Sequence, residues 1–151
     1  MKNFLKIRKA ILLAMSMTLA LVTFSGCEKD KDKADPRDAY VGTYRNHERV
    51  PIDGVMVDDY YNITITKSTV NESDIVITNL LDMGAGISVI ATVTGNNFNI
   101  PQQSVTLESQ GAGISGSGRR DPATNILTYS VMATITGYSI ILNFDNTATK
   151  M

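Results

Sequence analysis

The chain has 151 residues, with one cysteine, one histidine, no tryptophan and a formal net charge of −1. A single cysteine excludes an internal disulfide, and with a single histidine it excludes a zinc site built on clustered nitrogen and sulfur ligands. The length suits one domain with a modest core rather than two.

Lys2, Lys6, Arg8 and Lys9 precede an apolar run, Ala10 to Phe24, that ends in Phe24-Ser25-Gly26-Cys27. A charged start, a short apolar middle and small residues before a cut mark an export signal. The run contains Ser16, Thr18 and Thr23 and falls short of the roughly 20 apolar residues of a membrane-spanning helix. Cys27 directly after the small pair resembles a bacterial lipobox, with Phe24 where leucine usually stands. The resemblance implies that residues 1–26 are removed and that Cys27 becomes an acylated first residue, with the membrane as partner. Ordinary secretion with a free thiol, and a retained anchor, are the alternatives. Without residues 1–26 the chain holds 10 basic residues against 15 acids, a charge of −5. That leaves no basic surface to neutralise phosphates, which excludes nucleic acid as a partner.

Residues 27–39 carry Glu28-Lys29-Asp30-Lys31-Asp32-Lys33 and little that is apolar. Nothing there offsets the entropy of ordering, so a disordered tether is expected, spanning roughly 20 Å as a flexible coil. The bland reading is a solvated spacer. The run also resembles the charged segments behind the lipidated cysteine of surface lipoproteins of the Bacteroidetes type. That resemblance implies an outer-membrane anchor and outward display.

From residue 40 to 151 the pattern has period two, expected of one domain of half-buried antiparallel strands. Val41–Arg45 and Gly54–Val57 are short candidates, followed by Tyr60–Lys67, where Tyr61, Ile63 and Ile65 alternate with polar residues. Asp74–Leu80, Ile87–Thr94, Asn97–Ile100, Ser104–Ser109, Ala112–Gly118, Asn125–Thr134 and Tyr138–Phe144 complete the set. The breakers are Gly95-Asn96, Pro101, Gly111, Asp121-Pro122 and Gly137. Leu80 to Met83 has room for one helical turn before Gly84-Ala85-Gly86, and no other window has a helical period. Nine or ten short strands predict an all-β antiparallel meander closed into a barrel, with a β-sandwich as the alternative. Closure removes exposed edges. With strands of about seven residues the interior is expected to be filled by Ile63, Ile65, Ile75, Ile77, Val89, Val93, Leu107, Leu127 and Val131, leaving at most a small pocket at one mouth.

Val41-Gly42-Thr43-Tyr44 resembles the Gly-x-Trp opening of lipocalins and other calycins, with tyrosine for tryptophan. Asn99-Ile100-Pro101-Gln102-Gln103 and Ile114-Ser115-Gly116-Ser117-Gly118 are similar to stretches of small lipocalin-like lipoproteins of Bacteroides and relatives. The resemblance covers most of residues 40–146 and implies a lipocalin-like barrel. Lipocalins set a basic residue on the last strand over that tryptophan. The predicted last strand, Tyr138–Phe144, contains none, and Lys150 lies beyond it.

No catalytic constellation assembles from these residues. His47 lies in the predicted loop Asn46-His47-Glu48-Arg49 and reads as a solvated group. Asp53, Asp58 and Asp59 lack the frame of a calcium loop and read as surface acids flanking a hairpin. The run Gly111 to Gly118 lacks the lysine and the following helix of a phosphate loop, and reads as strand glycines that permit bending or close backbone approach. Tyr44 and Tyr129 are candidate ligand-binding residues at a rim, because tyrosine joins an apolar ring to a polar tip. Arg119, at a strand end, is a candidate for a ligand carboxylate. The expectation is a monomeric, non-enzymatic envelope lipoprotein with no cofactor or metal, binding a small apolar ligand or an envelope component. The alternative is an accessory subunit that contacts another envelope protein through its outer face.

Overall fold

The computed structural model describes residues 34–107, 110–135 and 141–151. The export signal, Cys27, the run Glu28 to Lys33, Gly137 and the start of the predicted last strand lie outside the described residues. Among the described residues are eight strands: β1 Gly42–Ile52, β2 Val55–Lys67, β3 Asp74–Thr78, β4 Ser88–Thr94, β5 Asn97–Leu107, β6 Gln110–Arg120, β7 Leu127–Ile135 and β8 Ile141–Lys150. Each pairs antiparallel with the next, and β8 returns to β1, which closes the sheet into a barrel. The sandwich alternative is thereby set aside.

Eight strands replace the nine or ten expected because two pairs of candidates fuse. Gly54–Val57 and Tyr60–Lys67 form one strand, β2. Asp53 (φ 51) and Gly54 (φ 79) are both left-handed, the geometry of a two-residue Asp-Gly hairpin whose twist matches its flanking strands. Asn97–Ile100 and Ser104–Ser109 join across Pro101, where the β5–β6 register shifts between Ile100 and Gln103. A proline lacks a ladder donor and is tolerated at such a bulge. The Gln103 amide bridges the interruption, accepting from Ile90 N–H at 2.9 Å and donating to its carbonyl at 2.8 Å. The strands are also longer than about seven residues: fusion gives β2 13 and β5 11, and single candidates extend to give β1 and β6 11 each. Leu80–Asp82 forms the expected single turn, as a 3-10 helix.

Most inward positions are apolar and most outward ones polar, the reverse of a barrel that faces lipid. Ile63, Ile65, Ile75, Ile77, Val89, Val93, Leu127 and Val131 are all buried, as expected. The Leu107 side chain falls outside the described ones. In β6, Gly118 fits against Phe98, whose Cζ would lie 2.6 Å from an added Cβ, and against Tyr129. Gly118 therefore makes room for the Phe98 ring and the paired strand, and Gly116 for the backbone of Ser130 and Val131, rather than for an anion.

The chain enters at the closed end of the barrel. Asp35 caps a 3-10 turn, Pro36–Ala39, by accepting from Arg37 N–H at 2.9 Å. The Arg37 guanidinium, buried, donates to the carbonyls of Ser68 at 3.2 Å and Asn71 at 3.0 Å. The predicted tether thus ends before Asp35: a charge that reads as solvated in sequence caps the β2–β3 loop. Tyr40 donates to Gly95 O at 3.2 Å, Tyr44 donates to Tyr40 O at 2.8 Å, and Arg120 lies 5.8 Å over the Tyr40 ring. The last strand runs to Lys150, which pairs with Tyr44 and sets its ammonium 5.9 Å over that ring. The basic residue absent from the predicted last strand is thus present in the observed one, because β8 extends six residues past Phe144.

Candidate functional site

The opposite end of the barrel carries the β1–β2 hairpin and the β3–β4 loop. An apolar pocket of about 130 Å³ opens there, lined by residues that include Leu81, Met83, Ile114, Ala133, Leu142 and Phe144. It is well below the roughly 300 Å³ at which ligand pockets begin, and near the 150 Å³ of a cavity that holds benzene. Leu81 lines it with a φ of 55, a left-handed backbone that costs a leucine about 1–2 kcal/mol.

Below the mouth the barrel holds a polar network. Asn46 of β1 donates to Asn146 Oδ1 of β8 at 2.7 Å and accepts from the Tyr129 hydroxyl of β7 at 2.9 Å. One turn of the alternation nearer the mouth, buried Glu48 accepts from the Tyr61 hydroxyl at 2.5 Å. Burial raises the Glu48 pKa, and the nearby charges of Asp59 and Asp82 add to the rise, while the Tyr61 hydrogen bond opposes it. Burial likewise raises Tyr61 and Tyr129 far above the usual phenol range. Tyr44 and Tyr129 are therefore interior residues, fully and nearly fully buried, rather than a rim.

Arg119 and Arg120 point opposite ways. Arg119 faces outward into a shallow depression of about 460 Å³ on the outer wall, beside Asn97, Ser117 and Thr128. Arg120 faces inward, donating to Asn125 at 2.6 Å and Asn96 at 3.2 Å. Tyr44, Tyr129 and Arg119 thus form no common rim. His47 lies in β1, not in a loop, stacked 4.4 Å from Tyr60 and 2.6 Å from Asp58. Asp58 is also 3.4 Å from Arg49, and Asp59 accepts from Tyr60 N–H at 2.7 Å. Among the described residues no group of three or more His, Cys, Asp or Glu is placed to hold a metal ion.

In sequence Asp53, Asp58 and Asp59 read as acids flanking a hairpin; what that reading missed is the two-residue turn at Asp53-Gly54 and the length of the β1–β2 ribbon. β1 leaves β8 after Arg49, and β2 meets β3 only from Thr64. Residues 50–57 thus project past the barrel as a two-stranded ribbon. Val50, Ile52, Val55 and Val57 occupy the face that continues the barrel interior, and Val55 is 65% exposed. The signal was available: Asp53-Gly54 between apolar residues is a strong hairpin pattern. No protein-family model matches the chain, and no curated protein matches it.

Proposed function

We propose that this protein is a non-enzymatic lipoprotein of the bacterial outer membrane, anchored through acylated Cys27, that contacts another envelope protein through its projecting β1–β2 hairpin. The observation that carries the reading is the pairing of a filled barrel with an exposed apolar hairpin. A carrier needs a cavity, and among the described residues the apolar pocket at the mouth holds about 130 Å³. A contact protein needs an unpartnered apolar surface, which Ile52, Val55, Met56 and Val57 supply.

The Gly42-Thr43-Tyr44 opening, with Lys150 over the tyrosine ring, supports a lipocalin-like barrel. The charged run behind Cys27 supports a lipoprotein of the Bacteroidetes type with outward display. No cofactor, metal or nucleic acid enters this function.

A photo-crosslinking residue placed at Met56 in intact cells tests it. One envelope protein should be captured there, and none from the same probe at Thr128 on the outer wall. Equal capture from both positions, or none from Met56, would remove the proposal.

A further inference from the structure

Resting on the reading of the hairpin as the contact surface, we infer that β2 binds its partner by strand addition, taking an extended segment that sets a basic residue against Asp59. In the two-residue hairpin Ile52 pairs with Val55, and the ladder then alternates. Residues 56, 58, 60 and 62 therefore turn their backbone groups away from β1. Two contacts agree with this parity: Asn62 O accepts from Asn79 Nδ2 at 2.8 Å, and Tyr60 N–H donates to Asp59 Oδ1 at 2.7 Å. The backbone groups of Met56 and Asp58 lie on the same edge, beyond the reach of β3, which pairs only from Thr64, and among the described residues no strand pairs with them there.

The other edge of the hairpin is closed to pairing. Pro51 occupies the matching outward position on β1 and has no N–H to donate. The ribbon thus offers one template edge, along β2, of the kind that extended peptides extend with main-chain hydrogen bonds.

Charge selects the occupant. On the inward face Asp59 stands opposite Glu48, and with Asp82 it lies close enough to raise the Glu48 pKa. Among the described residues no basic side chain pairs with any of these three. A second β2 edge laid against the first would add another Asp59 to the acidic inward face, and like charges across a ladder are unfavourable. A segment with lysine or arginine opposite Asp59 relieves that charge, and apolar residues two positions to either side cover Val57 and Tyr61.

The test uses the full chain in detergent and a nine-residue capped peptide of alternating valine and threonine with lysine replacing the central valine. The readout is amide hydrogen exchange at Met56 and Asp58. The lysine peptide should slow both amides, and a peptide with glutamate at its centre should bind about tenfold more weakly. Asp59→Lys should reverse the preference, and Met56→Pro, which removes one edge donor, should abolish the slowing at the Asp58 amide. Equal slowing by both peptides, no slowing at these amides, or slowing that grows with protein concentration alone would overturn the inference. If Met56→Pro leaves crosslinking from position 57 in cells intact, strand addition falls while the hairpin contact stands. If no variant crosslinks there, the contact reading itself falls.

Discussion

Replacing Glu48 with glutamine isolates the cost of an acid inside the barrel. Glu48 is 6% exposed, and among the described residues its hydrogen-bond donor is the Tyr61 hydroxyl. Burial, reinforced by Asp59 and Asp82, lifts its pKa above the ordinary carboxylate value. The folded protein therefore keeps a proton on Glu48 at pH values where the unfolded chain has released it. Stability is full below the unfolded carboxylate pKa, falls as pH rises toward the folded pKa, and then levels off. Within that window the slope for one group is at most about 1.4 kcal/mol per pH unit. In Glu48→Gln the new amide would still accept from Tyr61 and carry no charge, so the two proteins should be similar in acid, with the variant increasingly more stable as pH rises. Urea unfolding of both proteins from about pH 4 to about pH 8 gives the difference directly, since every other titrating group is common to both. A difference that does not change with pH would refute the assignment of an uncompensated acid to this position.

Gly118→Ala should destabilise the barrel by about 1–3 kcal/mol, because the new methyl meets Phe98 and Tyr129 in a packed interior; a shift of the urea midpoint measures it, and an unchanged midpoint would refute the close approach. Cys27→Ala should move the protein from the membrane fraction to the soluble fraction, since each buried CH₂ of an acyl chain contributes about 0.8 kcal/mol to anchoring; continued membrane association would end the lipoprotein reading.

The barrel was legible because inward residues such as Ile63, Ile65, Val89 and Val131 keep strict alternation, and only a one-sided sheet imposes that. Strand ends were less so. Asp-Gly at 53–54 divides in sequence between a loop and a new strand, and Pro101 reads as a stop, although a bulge carries β5 past it. Thr147 to Lys150 alternates small and polar residues, so the strand that brings Lys150 over Tyr44 gives no strong hydrophobic signal. Site residues were harder for a different reason. Asn46, Glu48 and Asn146 read as surface residues, and their burial depends on Tyr61 and Tyr129 reaching across from other strands. Which member of Arg119-Arg120 faces inward follows only from register, which pairs Arg120 with Leu127. The free edge of β2 is a property of where two neighbouring strands stop.

Native mass spectrometry of the protein released from its own envelope under mild detergent tests the central claim most directly. The account predicts a complex with one envelope protein that is lost when Val55 and Val57 are replaced by serine, and a barrel whose own mass includes only the chain and its acyl groups. A barrel that retains one small apolar molecule, and forms no protein complex that depends on Val55 and Val57, would contradict it.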